Sequence, residues 1–191
     1  HCVAQCPHTV KMQGRDPTQA IVLGDGACHA HNVGGVPNIA DANDGTRRPA
    51  LREDNAKTAR LLDALPNVSS VTPFFTPQDV PGAALSLWMY YDTIANTTKP
   101  IHGPGVQTAR EVRAVAEMAR IACPEGNVSI AISPVSPLFL PDDVAGAIIE
   151  VARLGLPFGP LPCPIMGATG PMSIAGALAQ QNAEVLASIV L

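Results

Sequence analysis

Two hydrophobic rhythms alternate through the second part of the chain. Val68–Val71, Pro100–His102, Val128–Ile132 and Leu156–Ile165 are short apolar runs, which predict strands. Each is followed by a stretch with apolar positions three and four apart, which predicts a helix. These helices cover about Ala83–Ala95, Thr108 to Pro124, Asp142 to Gly155, and the residues after Gly170. Val112, Val115, Ala119 and Ala122 share one helical face, and Val144, Ile148 and Val151 share another. Thr108 and Glu111 have capping-box spacing, and Asp142 and Asp143 complement a helix N-terminus. Gly155 suits a helix end. Pro171 suits the first helical position, so Gly167-Ala168-Thr169-Gly170 are expected to offer free backbone N–H groups just ahead of the last helix. The continuously apolar Val128–Ile132 reads as a strand covered on both faces.

Four successive βα units imply a parallel sheet. Part of a (β/α)8 barrel and a doubly wound open sheet both fit. No glycine fingerprint follows the first strand, which leaves little for dinucleotide binding. Four units are half of a barrel of about 250 residues.

Ahead of these units the pattern shortens. Thr9–Met12, Ala20–Leu23, Cys28–His31 and Asn38–Ala40 read as short strands around the turns Gly14-Arg15-Asp16-Pro17, Gly24-Asp25-Gly26 and Asn43-Asp44-Gly45. Asp-Gly favours a tight hairpin. A small β meander over residues 1–50 is the expectation. Arg47-Arg48-Pro49 then opens a helix over about Leu51–Leu65, with a stripe of Ala56, Ala59 and Leu62, stopped by Pro66-Asn67.

The chain has 191 residues, 47% of them hydrophobic and 15% charged, with a formal net charge of −4. That suits a domain with a core, and excludes disorder and a nucleic-acid footprint. No apolar run approaches the length of a membrane span. Five scattered cysteines (Cys2, Cys6, Cys28, Cys123 and Cys163) form no disulfide framework and point to a reducing cytoplasm. Cys2, Cys6 and His8 match no common zinc spacing. The first residue is His, and Leu191 falls inside a helical pattern, so the chain reads as a piece of a longer protein.

The loops after the predicted strands would form the active face of a barrel. His102 stands at a strand end beside a glycine turn, where an imidazole can hydrogen-bond a substrate or act as a base. Ser133 and Ser136 each precede a proline that biases them to extended backbone. Met166, Gly167 and Thr169 stand on the small-residue loop before the last helix. His29 and His31 alternate on one predicted strand without a third ligand. Trp88, Tyr90 and Tyr91 cluster on one helix and can be read as core packing or as an aromatic cage for a quaternary ammonium. The absence of any basic residue between Leu161 and Leu191 argues against phosphate there.

Several motifs in order resemble the trimethylamine methyltransferase family, corrinoid-dependent methyltransferases acting on methylated amines. They are Ile132-Ser133-Pro134-Val135-Ser136-Pro137-Leu138, Met166-Gly167-Ala168-Thr169-Gly170-Pro171, Ala175-Gly176-Ala177-Leu178 and Asn182 through Leu191. Gly14-Arg15-Asp16-Pro17 and Ile94-Ala95-Asn96-Thr97-Thr98-Lys99-Pro100 add to them. The resemblance implies a (β/α)8 barrel, of which residues 51–191 are the first half. It implies methyl transfer from trimethylamine or a quaternary amine such as glycine betaine to the cobalt of a corrinoid carried by a partner protein. The full-length enzyme is expected to be a homo-oligomer. His102, Ser133, Ser136, Met166, Gly167 and Thr169 are then the residues expected to face substrate or corrinoid. The catalytic residues are expected downstream of Leu191, where trimethylamine-specific members carry pyrrolysine. Asn182 and Glu184, polar in an otherwise apolar helix, have no assigned role. A non-catalytic half-barrel that binds corrinoid or a partner is the alternative. A Schiff-base enzyme using Lys99 is a third reading.

Overall fold

The computed structural model of the chain describes residues 7–191. Its elements are β1 (Val10–Met12), β2 (Ile21–Leu23), β3 (Asn38–Ala40), β4 (Arg47–Pro49), α1 (Arg52–Ala64), α2 (Leu85–Asn96), β5 (Ile101–Gly103), α3 (Ala109–Ala122), β6 (Val128–Ile132), α4 (Asp142–Arg153), β7 (Phe158–Pro160) and α5 (Ile174–Val190). This mixed α/β chain divides into two compact units. One runs to Gly103 and takes in Val115–Val128; the other holds Pro104–Ala114 and Ser129–Leu191.

In the first unit the expected meander is two separate antiparallel hairpins, β1 with β2 and β3 with β4. Arg47–Pro49 is therefore a strand and not the opening of a helix. The reason lies in the turn before it. Asp41 and Asp44 carboxylates accept from the Asn43 and Thr46 N–H groups (2.8 and 2.9 Å), closing the hairpin so that Arg47–Pro49 meets a partner strand. Helix α1, Arg52–Ala64, matches the helix expected over about Leu51–Leu65. Asp54 caps its start, accepting from the Leu51 N–H at 2.9 Å and from both terminal nitrogens of Arg48 at 2.7 Å.

The expected strands Cys28–His31 and Val68–Val71 shrink to single parallel bridges, His31 with Ser70 and Val71 with Ile101. Three backbone bonds still hold these segments side by side: Ser69 N–H to Ala30 O (2.8 Å), Val71 N–H to Pro100 O (2.9 Å) and His102 N–H to Val71 O (3.2 Å).

Helix α1 packs on α2 with a polar residue at its centre. The expected stripe of Ala56, Ala59 and Leu62 survives only at Ala59, and the buried neighbours are Asp54 and Asn55. Asn55, 1% exposed, donates to Met89 O (3.1 Å) and accepts from the Phe74 and Phe75 N–H groups (3.1 and 3.3 Å). Beyond the C-terminus of α2, two separated sequence motifs meet. The Arg15 guanidinium donates to Thr97 O (2.8 and 3.0 Å), and the Asp16 N–H donates to Thr98 O (3.0 Å). Asp63 accepts from the Thr97 hydroxyl and the Thr98 N–H (2.7 and 2.6 Å). Buried Lys99 donates to Leu62 O and Leu65 O (3.0 and 2.6 Å), closing the end of α1.

In the second unit β6 and β7 pair in parallel, Ile130 opposite Phe158 and Ile132 opposite Pro160. All five residues of β6 are buried, as its apolar run predicts. Val144, Ile148 and Val151 of α4 are buried with Ala147. Leu154 and Gly155 end α4 through N–H bonds to Glu150 O and Ala152 O. Thr108 and Glu111 form the expected capping box ahead of α3. Among the described residues no helix is long and apolar enough to cross a membrane.

Two glycines should respond oppositely to Ala. A Cβ at Gly14 would lie 2.3 Å from the Lys99 carbonyl carbon and the Thr98 oxygen, whereas a Cβ at Gly146, inside α4, meets nothing within 4 Å. G14A is expected to cost about 3 kcal/mol by overpacking. G146A is expected to add ~1 kcal/mol by helix propensity. Denaturant unfolding of the intact protein measures both.

Candidate functional site

Each unit carries one cluster of polar groups at the end of its parallel segments. In the first unit it is built from the His31–Ser70 and Val71–Ile101 bridges. Asn32 clamps the next turn of chain: its amide donates to Thr72 O (2.8 Å) and its carbonyl accepts from the Thr72 N–H (2.9 Å). The Thr72 hydroxyl donates to His102 O at 2.6 Å. Tyr90, fully buried in α2, donates its hydroxyl to Gly103 O. Gly103 has no room for a side chain, since a Cβ would stand 2.8 Å from Thr72 Cγ2. So fixed, the His102 ring meets the His31 ring edge to face, centroids 5.2 Å apart and planes at 78°. Burial, helped by neighbouring His31, lowers the His102 pKa and favours its neutral form.

The second cluster is organised by α5. The loop after β6 closes on itself, Val135 and Phe139 exchanging both backbone bonds (2.8 and 2.9 Å). Glu184, 3% exposed, accepts from the Ser136 hydroxyl (2.8 Å) and the Leu138 N–H (2.9 Å). One turn earlier, the Gln180 amide donates to Glu184 (3.0 Å) and to Thr169 O (2.8 Å). The i, i+4 pair on α5 thus ties the loop after β6 to the loop after β7. Burial opposes ionisation of Glu184. The Leu138 N–H, the Ser136 hydroxyl and the Gln180 amide outweigh it and hold the carboxyl below its ordinary range.

His102 lies in the first cluster, with His31. Ser136 and Thr169 belong to the second and are connected through Glu184 and Gln180. Ser133 is exposed just past β6, and Met166 is exposed on the loop after β7. Gly167 takes φ +81°.

The expectation that residues 167–170 offer free N–H groups at a helix start does not hold. Ser173 caps α5, its hydroxyl accepting from the Gly176 N–H (3.2 Å), so the helix starts at Ile174 and not at Pro171. The loop consumes three of those donors itself. Gly167 N–H bonds Gly170 O, Ala168 and Thr169 N–H groups bond Ile165 O, and the Ile165 N–H bonds the Thr169 hydroxyl.

Trp88, Tyr90 and Tyr91 form no cage. Tyr90 is core. The Arg52 guanidinium covers Trp88 at 3.4 Å, and Tyr91 stands edge-on to Trp88. His29 and His31 do not lie on a common strand; His29 Nε2 bonds Val22 O and His31 Nδ1 bonds Asn32 O. Among the described residues no three His, Cys, Asp or Glu side chains gather as metal ligands, and Cys2 and Cys6 lie outside those residues. Lys99 is buried, and its ammonium is bonded to the Leu62 and Leu65 carbonyls at the end of α1.

Sequence reasoning missed Asn32, Thr72, the His31 contact and the role of Glu184. Only Glu184 left a trace, as a charge in an apolar helix four residues after Gln180.

Glu184→Gln replaces an acceptor of three bonds by an amide with one acceptor oxygen. A loss of about 3 kcal/mol is expected at pH 7. Because folding lowers the Glu184 pKa, the unfolded chain binds the extra proton in acid. Its stabilisation is therefore present above the ordinary glutamate range, about 4.3, and lost as pH falls through the lower folded value. Denaturation of both proteins at pH 7 and about pH 3 should show the difference shrinking in acid.

A family model described as trimethylamine methyltransferase matches residues 1–191. The trimethylamine methyltransferase MttB of Desulfitobacterium hafniense (strain DSM 10664 / DCB-2) is 32% identical over 99% of this chain and 39% of its own length. The glycine betaine methyltransferase of D. hafniense strain Y51 is 30% identical over 97% of this chain and 40% of its own length. The trimethylamine methyltransferase MttB1 of Methanosarcina acetivorans is 31% identical over 74% of this chain. The chain spans about two fifths of the length of the first two relatives. It belongs to the trimethylamine methyltransferase family.

Proposed function

We propose that the chain is part of an enzyme that moves a methyl group from trimethylamine or a quaternary amine such as glycine betaine to the cobalt of a corrinoid on a partner protein. In this reading residues 51–191 are the first half of a (β/α)8 barrel behind a β-rich segment, residues 1–50. The observation that carries the reading is the family match over the whole chain, with relatives named for both kinds of methylated amine. The parallel bridges of the first unit and the parallel β6–β7 pair support the barrel. Among the described residues Cys28, Cys123 and Cys163 are free thiols, which supports a reducing, cytoplasmic location.

A methyl group leaves nitrogen most readily when that nitrogen is positively charged, because the departing group is then a neutral amine. The neighbourhood of His102 suits such a substrate: burial favours the neutral ring, which adds no like charge. The second cluster fits an apolar, planar group. Leu138 (67% exposed), Phe139 (59%) and Met166 (52%) stand out on loops that contain no charged residue. Glu184 and Gln180 fix those loops from below, so the apolar side chains are set before docking. Ser133, Ser136, Gly167 and Thr169 line the same loops. When bound, a reduced corrinoid supplies the electron pair that takes the methyl group. The role of this chain in this reading is to offer amine and corrinoid surfaces whose geometry is fixed before either binds.

The test is methyl transfer by the intact protein, with trimethylamine and glycine betaine offered separately and a reduced corrinoid protein as acceptor, followed by absorbance of the methylated cobalt. Turnover with one of them is expected. Binding of corrinoid without turnover on any methylated amine would favour the non-catalytic half-barrel. Leu138→Asn removes the apolar side chain at an exposed loop position whose positive φ (51°) asparagine tolerates, and adds no charge beside the Glu184 carboxylate. It is expected to leave Tm unchanged and to cut the transfer rate about tenfold, as ~1.4 kcal/mol of lost docking energy would.

A further inference from the structure

His31 is exposed, yet its ring makes three contacts, two at Nδ1 and one with the His102 ring. Its Nδ1 stands 2.8 Å from Asn32 O. A carbonyl can only accept, so in the neutral ring Nδ1 carries the proton. The Thr72 hydroxyl, 3.4 Å from the same nitrogen, gives its own hydrogen to His102 O, so it turns a lone pair toward His31. The His102 ring packs edge to face against the imidazole and sets its plane. With Nδ1–H committed, Nε2 carries the lone pair. A fixed acceptor on an exposed ring is preorganised for a ligand that brings a donor.

We propose that His31 Nε2 is the recognition point for the N–H of a protonated tertiary amine, so that this protein selects trialkylammonium over quaternary ammonium substrates. The inference rests on the methylated-amine reading above. A trialkylammonium ion combines the required positive nitrogen with one N–H donor, whereas a quaternary ion has no donor for His31. The bond orients the substrate and leaves the proton where it is. The electron pair that would take the methyl carbon is the one a reduced corrinoid supplies when bound. The C–N bond breaks with its pair returning to nitrogen, and dimethylamine departs neutral with the original N–H. His31 is a substrate-binding residue, and Asn32, Thr72 and His102 are positioning residues for its ring.

The test is calorimetric binding of trimethylammonium and tetramethylammonium chloride to the intact protein without corrinoid partner. Wild type is expected to prefer trimethylammonium. His31→Phe keeps a ring but no acceptor, and is expected to reduce that preference tenfold or more, the scale of one charge-assisted hydrogen bond. His31→Gln, which restores an acceptor oxygen, should recover part of it. If His31→Phe does not fold, the 15N resonance of His31 Nε2 in wild type decides: it should shift with trimethylammonium and not with tetramethylammonium. Equal weakening of both ions, an unchanged preference, no binding of either, or equal 15N shifts would overturn the inference. A His31-dependent preference without methyl transfer defeats the proposed function alone. Methyl transfer without that preference defeats this inference alone.

Discussion

Short parallel segments leave backbone groups without partners, and buried polar side chains supply them. Most strands here are three residues long, and two expected strands are reduced to single bridges. Backbone N–H and C=O groups still have to be bonded once water is excluded. Asn32 takes both groups of Thr72, Asn55 serves Phe74, Phe75 and Met89, Asp63 serves Thr98, and Glu184 serves Leu138. A buried amide or carboxylate without partners costs several kcal/mol. Each of these side chains has two or more, so the requirement runs both ways and each loop has one favoured geometry.

That arrangement separates rigidity from surface chemistry. Glu184 and Gln180 hold their loops from the buried side, which frees the outward side chains of Leu138, Phe139 and Met166 from any structural task. In the first unit Asn32, Thr72 and Tyr90 do the same for the two imidazoles. Each cluster thus presents fixed side chains on fixed backbone, so a ligand meeting either one would not have to order it first.

Local patterns were legible where their partners were local. The apolar faces of α3 and α4, the Thr108–Glu111 box, the buried run of β6 and the hairpin signalled by Asn43-Asp44-Gly45 all follow from spacing within a dozen residues. The helix start before α5 was misplaced because Ser173 competes with Pro171 as the boundary, and a hydroxyl that caps an N–H outweighs a proline that merely tolerates the position. The stripe expected on α1 failed because Asn55, which looks like a surface residue, finds its partners 19 to 34 residues away.

The sequence by itself determined the class of the chain, the order of its α and β segments and its family, because periodicity, turn chemistry and ordered motifs are properties of neighbouring residues. Tertiary structure alone decided which polar residues matter. It joined Gly14-Arg15-Asp16-Pro17 to Thr97-Thr98-Lys99, set His31 against His102, and turned Glu184 from an oddity in an apolar helix into the anchor of a loop. Those pairings span 46 to more than 80 residues or depend on a ring orientation. The energy of a hydrogen bond depends on where its partner stands in space, and no spacing rule along the chain contains that distance.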